Sequence, residues 1–178
     1  MTPLDAAILR TANAYCALGY GLSEHELQEL ADFLQEAGEA LNLPFEKHAY
    51  GPYSDTLRHV LNRMEGHSIR GLGDGVADVE IEPVADALAE AETFVEAHGH
   101  EAMAERVLRV GDLIEGFQSP YGMELLATVH WVAKHEGAAT KEQAIAAVRA
   151  WNDRKKSLMT PEHVAAAWNR LEQAGWLN

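Results

Sequence analysis

The stretch that decides the fold of this chain reads SPYGMELLATVHWVAKHE, at residues 119–136. Ser119 and Pro120 predict a helix start, because a serine side chain can cap free backbone N–H groups and proline suits the first turn. The turns that follow carry apolar residues on nearly every side of the helix, namely Leu125, Leu126, Val129, Trp131 and Val132. A helix that is apolar all round is buried, so residues 121–136 are predicted to form a central helix.

Further helices are predicted on both sides of this one. Ser23 and Glu26 form a capping box, in which each side chain bonds the other residue's backbone N–H. Thr140 and Gln143 repeat the pattern before a later helix. Helices are predicted at residues 4–18, from 23 onward, after Ser54, and at 83–98, 101–114, 140–152 and 160–174, with glycines or prolines marking several of their ends.

The strand signal is confined to residues 78–82, where Val79 and Ile81 alternate with acids. Such a strand can pair with the segment near Phe45 or with the one near Ile69. The fold class is therefore mainly α (α+β), with a small β-sheet and a winged-helix-like C-terminal part. We expect one domain over residues 1–178, divided if at all into an acidic lobe, 1–116, and a winged-helix-like lobe, 117–178.

The charge of the chain is −14 and is unevenly distributed. Residues 1–120 carry 22 Asp and Glu against 7 Lys and Arg, whereas residues 121–178 carry 6 against 7. Such a field repels nucleic acid and attracts a basic partner, although acidity also simply keeps proteins soluble. No run of eighteen apolar residues and no secretory signal is visible, and Cys16 is the single cysteine. We therefore expect a cytoplasmic protein without a membrane partner.

No motif for catalysis rises above background. Of the nine histidines, His98 and His100 lack further ligands nearby, and His130 is better interpreted as a core histidine. The glycine-rich stretch at 71–75 lacks the Lys-Ser/Thr of a phosphate-binding loop and predicts a turn. These patterns predict no catalytic residue, no metal and no cofactor, so we expect the chain not to be an enzyme.

The C-terminal segment offers an alternative function. Two helices, 140–152 and 160–174, flank a predicted loop with Arg154, Lys155 and Lys156, as in half of a winged helix that reads DNA. The second helix has Arg170 as its one permanent cation, which predicts weak phosphate binding. A winged-helix-type DNA-binding regulator is therefore the second hypothesis.

Three longer stretches resemble one known family. They cover residues 50–75 (YGPYSDTLRHVLNRMEGHSIRGLGDG), 116–133 (GFQSPYGMELLATVHWVA) and 148–156 (VRAWNDRKK). They are similar to the C-terminal region of DarG antitoxins, and the resemblance extends over essentially the whole chain. In that family this region binds the toxin DarT, which attaches ADP-ribose to thymine in single-stranded DNA, while a separate macrodomain removes it.

The resemblance implies an antitoxin domain that binds and inhibits a DarT-type ADP-ribosyltransferase without contacting nucleic acid directly. The acidic composition adds a mechanism, because a protein that holds single-stranded DNA needs a basic groove that carboxylates can occupy. Either acidic block, 23–46 or 76–119, could mimic DNA, and the second holds more acids. Occlusion through apolar contacts stays open as an alternative.

The candidate partner-binding residues lie in these stretches and in the predicted strand. They are Tyr50, Gly51, Pro52, Tyr53, Arg58, Asn62, Arg70, Asp74, Glu80, Glu82, Trp151, Arg154 and Lys155. Tyr50 and Tyr53 fit a packed structural turn at least as well as an interface. Arg58, Asn62, Arg70 and Asp74 fit a role in holding the glycine-rich loop as readily as a role in binding.

Overall fold

The computed structural model describes residues 1–73 and 80–177 and divides the chain into two compact units. Unit 1 contains Met1–Glu46 and Tyr53–Gly111, and unit 2 contains Lys47–Pro52 and Asp112–Asn178. The helices are α1 (Pro3–Cys16), α2 (Glu24–Glu36), α3 (Asp55–Met64), α4 (Ala85–His98), α5 (Ala102–Ile114), α6 (Pro120–His135), α7 (Lys141–Trp151), α8 (Asp153–Leu158) and α9 (Pro161–Gln173). The short strands are β1 (Glu46–Lys47), β2 (Pro52–Tyr53), β3 (Ile69–Arg70) and β4 (Glu82–Pro83).

Unit 1 is built around α1, which packs against α2, α4 and β4. The predicted capping box at the start of α2 is confirmed, because Ser23 accepts from the Glu26 N–H and Glu26 accepts from the Ser23 N–H. The apolar face of α2 is buried as its spacing predicts. Its buried residues include Leu27, Leu30, Phe33 and Leu34.

The acidic side of α2 is also buried. Glu26, Glu29 and Asp32 are each at most 3% exposed, and Glu39 just beyond the helix is 7% exposed. Glu26 accepts a hydrogen bond from the Tyr15 hydroxyl, and Glu39 accepts one from Arg106 at 2.7 Å. Four of the seven acids in the block at residues 23–46 are therefore buried, whereas Glu24 and Glu36 are half-buried and Glu46 is exposed. Whether this block contacts a partner stays a prediction.

The strands form two small sheets. β1 and β2 pair in a hairpin, and β3 pairs antiparallel with β4 through Ile69 opposite Pro83 and Arg70 opposite Glu82. Of the two pairings left open by the sequence, the second sheet has the one with the segment near Ile69. The strand itself is shifted, because Glu80 and Ile81 lie outside it and only Glu82 of the predicted strand belongs to β4. Residues 78 and 79 of the predicted strand lie outside the described residues. Pro83 belongs to β4, so α4 begins two residues after the predicted helix start.

Unit 2 is built around α6, as its all-round apolar sequence predicts. Every residue from 122 to 132 is buried, and α6 packs against α7 and α9. Ser119 caps α6 and Thr140 caps α7, each by accepting a backbone N–H three residues later. Gln143 does not complete a capping box, because its side-chain oxygen accepts from the Ala139 N–H at 2.8 Å.

The fold class is mainly α (α+β), as predicted. In the winged-helix-like part, residues 112–177 form helices and turns, and the described portion has no strand hairpin there. The limits of the two predicted lobes stay a prediction. Across residues 1–73 and 80–177, no helix combines the length and apolar character that crossing a membrane requires.

The net charge belongs entirely to unit 1. That unit contains 20 Asp and Glu against 6 Arg, which gives −14, while unit 2 contains 8 acids and 8 Lys and Arg, which gives zero. A neutral unit and a strongly acidic one attract different ligands, because long-range electrostatics follow net charge.

Candidate functional site

A buried ion cluster lies at the centre of unit 2, between α6 and α8. The Lys155 side chain is fully buried, and its ammonium donates to Glu124 Oε2 at 3.0 Å, to Thr128 Oγ1 at 2.9 Å and to the Tyr50 carbonyl at 3.2 Å. An ammonium has three N–H groups, so these acceptors satisfy all of them. Full satisfaction is what allows a charge to remain in the interior.

Glu124 binds a second cation, Arg154. One guanidinium nitrogen of Arg154 donates to both carboxylate oxygens of Glu124, at 2.8 and 2.9 Å. This hydrogen bond raises the pKa of Arg154 above its ordinary value, so its charge is permanent. The same guanidinium lies over the Tyr50 ring at 4.5 Å, within the range of a cation–π contact.

The hairpin at residues 47–52 is fixed onto the start of α8 through its backbone. Three consecutive backbone carbonyls of the hairpin accept hydrogen bonds from side chains. Trp151 Nε1 donates to the His48 carbonyl at 2.9 Å, and Asn152 Nδ2 donates to the Ala49 carbonyl at 3.0 Å. The Lys155 ammonium donates to the Tyr50 carbonyl. The Gly51 backbone has φ +143°, a conformation that side-chain-bearing residues rarely adopt. The hairpin is thus a rigid element of unit 2.

The Trp151 ring also belongs to this cluster, where it contacts two lysine ammonium groups. The ammonium of Lys47 lies over its ring at 4.4 Å and that of Lys155 at 4.9 Å. Lys47 also forms an ion pair with Glu136 at 2.5 Å. Cations, aromatic rings and paired carboxylates therefore alternate across this part of unit 2.

The structure brings together six of the thirteen candidate residues. Tyr50, Gly51, Pro52, Trp151, Arg154 and Lys155 all belong to unit 2. The predicted loop at Arg154 and Lys155 is wrong, because Asn152 caps the short helix α8 there and Lys155 points into the interior. Whether these residues bind a partner stays a prediction.

The other candidate residues belong to unit 1 and do not form one group. Tyr53 donates to Glu24 at 2.7 Å, and burial together with that carboxylate raises its pKa. The side chains of Arg58, Asn62, Arg70, Glu80 and Glu82 are exposed. Asp74 lies outside the described residues.

The glycine-rich turn is held by a residue that the sequence did not single out. The Glu65 carboxylate accepts the backbone N–H of Gly71 at 3.2 Å and that of Leu72 at 3.1 Å. In unit 2 the sequence interpretation likewise missed Glu124, Thr128 and Asn152. Glu124 carried a usable signal, because it is the one acid in the apolar run 121–133 and a buried acid needs a cationic partner.

The other candidate chemical groups are accounted for by packing. His130 is 4% exposed and its ring meets Trp176 edge-on at 5.9 Å, which confirms a core histidine. The Cys16 thiol lies 3.6 Å from the Ile81 carbonyl, and burial raises its pKa. Among residues 1–73 and 80–177, no group of three His, Cys, Asp or Glu is placed to hold a metal ion.

No model of a protein family matches the chain. Three curated proteins, all named DNA ADP-ribosyl glycohydrolase, do match it. The one from Thermus aquaticus is 42% identical over 99% of this chain and 48% of its own length. Those from Mycobacterium bovis and Mycobacterium tuberculosis are each 40% identical over 85% of this chain and 44% of their own length. The chain is related to these proteins and spans about half the length of each.

These relatives correct two expectations. The function predicted from the sequence, an antitoxin domain that inhibits DarT, or alternatively a winged-helix-type DNA-binding regulator, is wrong, because the relatives carry the name of a glycohydrolase of ADP-ribosylated DNA. The expectation that the chain is not an enzyme is wrong for the same reason. It rested on the lack of a local motif and on the resemblance to a toxin-binding region. The first ground is weak in itself, because catalytic groups need only converge in space.

Proposed function

We propose that this chain takes part in the enzymatic removal of ADP-ribose from DNA, as part of a DNA ADP-ribosyl glycohydrolase. The observation that carries the proposal is the 42% identity, across 99% of the chain, with a relative of that name. Because the chain spans about half of that relative, the proposal concerns the activity of the whole protein and names no catalytic residue here.

The geometry of unit 2 favours a structural role, and not a catalytic one, for its ion cluster in that activity. Both oxygens of Glu124 already accept hydrogen bonds from cations, and all three N–H groups of Lys155 are used. A general acid or base must instead exchange a proton with the substrate. The cluster therefore holds the hairpin at residues 47–52 in place instead of reacting.

We also propose that the chain corresponds to the C-terminal region of DarG-type proteins. Three stretches support this, 50–75, 116–133 and 148–156, and each of them supplies members of the ion cluster. The first supplies Tyr50, the second supplies Glu124 and Thr128, and the third supplies Trp151, Arg154 and Lys155. Motifs that lie far apart in the sequence thus meet in one cluster of unit 2. This correspondence concerns position within the relatives and carries no claim of toxin inhibition.

The proposal is tested with a single-stranded oligonucleotide that carries ADP-ribose on one base. Release of ADP-ribose is measured by chromatography for the chain alone, for the unmatched half of the Thermus aquaticus relative, and for both together. We expect the chain to increase release, either alone or when added to that half. If release is the same with and without the chain in both settings, the proposal is wrong.

A matched pair of variants connects this activity to the cluster. Lys155→Met removes the buried ammonium, whereas Lys156→Met removes its exposed neighbour. We expect Lys155→Met to abolish the chain's contribution and Lys156→Met to leave it within about twofold, since exposed substitutions rarely disturb a fold.

A further inference from the structure

An exposed aromatic ring belongs to the hydrogen-bonded hairpin of unit 2 at residues 47–52. The Tyr50 side chain is 45% exposed, although the hydrogen bonds to the His48, Ala49 and Tyr50 carbonyls fix the backbone on which it stands. A ring held this way loses little conformational entropy when a flat ligand stacks on it.

The surroundings of that ring carry positive charge that is only partly neutralised. Arg154 lies against the ring and is 41% exposed, and Lys47, on the same hairpin, is 38% exposed. Counting Lys155, three cations face two acids, Glu124 and Glu136, within this cluster. These paired groups carry one excess positive charge, in a unit whose net charge is zero.

Aromatic rings interleaved with cations are the arrangement by which proteins hold single-stranded nucleic acid, since bases stack on the rings and phosphates pair with the cations. Duplex DNA does not fit this arrangement, because its bases are already stacked on one another. Unit 1 does not suit the binding of single-stranded nucleic acid, because its net charge of −14 repels phosphates.

We propose that the Tyr50 ring, with Arg154 against it and Lys47 on the same hairpin, is a stacking surface for a base of single-stranded DNA. The inference rests on the proposed function, which makes DNA the substrate, and it places the DNA strand on unit 2. From the sequence we expected no direct contact with nucleic acid anywhere in the chain. Under this inference that expectation applies to unit 1 alone.

The test measures binding of a fluorescent twelve-nucleotide oligothymidylate by anisotropy at low salt. Tyr50→Ala should weaken binding at least fivefold, which corresponds to about 1 kcal/mol, the lower end for one stacked base. Tyr50→Phe should bind within twofold of the unchanged chain, because it keeps the ring. Tyr50→Leu should weaken binding like Tyr50→Ala, because it keeps apolar area without a ring.

Tyr20→Ala is the matched control, since Tyr20 has a similar exposure, 41%, but belongs to unit 1. It should change binding less than twofold. Lys47→Gln should make the dependence of log K on log salt shallower by about 0.7, the value for one phosphate contact with a single strand. Melting curves of each variant confirm that it is folded before its affinity is compared.

Four results would overturn the inference: no saturable binding by the unchanged chain, equal affinity of the Tyr50→Ala variant, an equal loss for Tyr20→Ala, or equally tight binding of a blunt duplex. The oligonucleotide carries no ADP-ribose, so this outcome is separate from the glycohydrolase test. Binding without release would sink the proposed function alone, and release without binding would sink this inference alone.

Discussion

The ammonium of Lys155 lies 3.0 Å from Glu124 Oε2 in an interior where the lysine side chain has no exposure and the glutamate side chain has 7%. The two residues are separated by 31 positions in the chain, and each depends on the other. A buried charge without its partner is among the most costly defects that a folded protein can carry.

Removing the lysine should therefore destabilise the chain strongly. We expect Lys155→Met to lower the free energy of unfolding by about 3 kcal/mol or more, because Glu124 stays buried with Arg154 as its remaining cation and Thr128 and the Tyr50 carbonyl lose a donor. Urea denaturation followed by circular dichroism measures the change. Lys156→Met, one position along α8 and exposed, should stay within about 0.5 kcal/mol. Equal effects of the two variants would contradict the buried ion pair.

His130 should make stability depend on pH. Burial, and to a lesser degree the nearby His135, lower the pKa of His130 from 6.5 to about 4. Between these values the unfolded chain binds a proton that the folded chain does not bind. Stability contributed by the neutral histidine is thus fully present above pH 6.5 and is lost as the pH falls toward 4, by up to about 3 kcal/mol.

The measurement is the free energy of unfolding in urea at a series of pH values from 4 to 7.5. His130→Gln should flatten the profile between pH 4 and 6.5, because the variant lacks the group that titrates. His59→Gln, at an exposed position of α3, is the control and should leave the profile unchanged. An unaltered slope in His130→Gln would show that other groups cause the pH dependence.

Two helical glycines should respond to alanine with opposite signs. A Cβ at Gly122 in α6 would lie 2.5 Å from the Phe117 carbonyl oxygen, so backbone would have to shift. We expect Gly122→Ala to cost about 1–3 kcal/mol, as is usual when a packed site is overfilled. A Cβ at Gly111 in α5 would meet nothing within 4 Å, and Gly111→Ala should stabilise the chain by about 0.5–1 kcal/mol. Thermal melts of both variants measure the change in melting temperature. Two shifts of the same sign would contradict the prediction.

The helix starts were predictable from the sequence because capping is local. Ser23, Ser119 and Thr140 each accept from an N–H three residues away, so a window of a few residues contains all the information. The burial of α6 was predictable for a similar reason, since its apolar residues leave no polar face.

The ion cluster could not be predicted in this way. Lys155 lies in a run of charged residues that predicts a solvated loop. The carboxylate that stabilises its buried ammonium comes from α6, some thirty positions earlier. The buried acids in α2 and just after it are a second case, because Glu26 depends on Tyr15 in α1 and Glu39 on Arg106 in α5. Charged side chains were assumed to face solvent wherever periodicity alone was considered, and distant partners overturned that assumption.

The hairpin at residues 47–52 belongs to unit 2 although the residues on either side of it belong to unit 1. The polypeptide consequently passes from one unit to the other three times, and no single cut separates unit 2 from unit 1. A gene fragment starting at residue 112 would encode Trp151, Asn152 and Lys155 without the carbonyls that they bond. Because unit 2 consists of two separate segments of the chain, recombination could not transfer its coding sequence as one continuous piece. The two units are therefore expected to be inherited together.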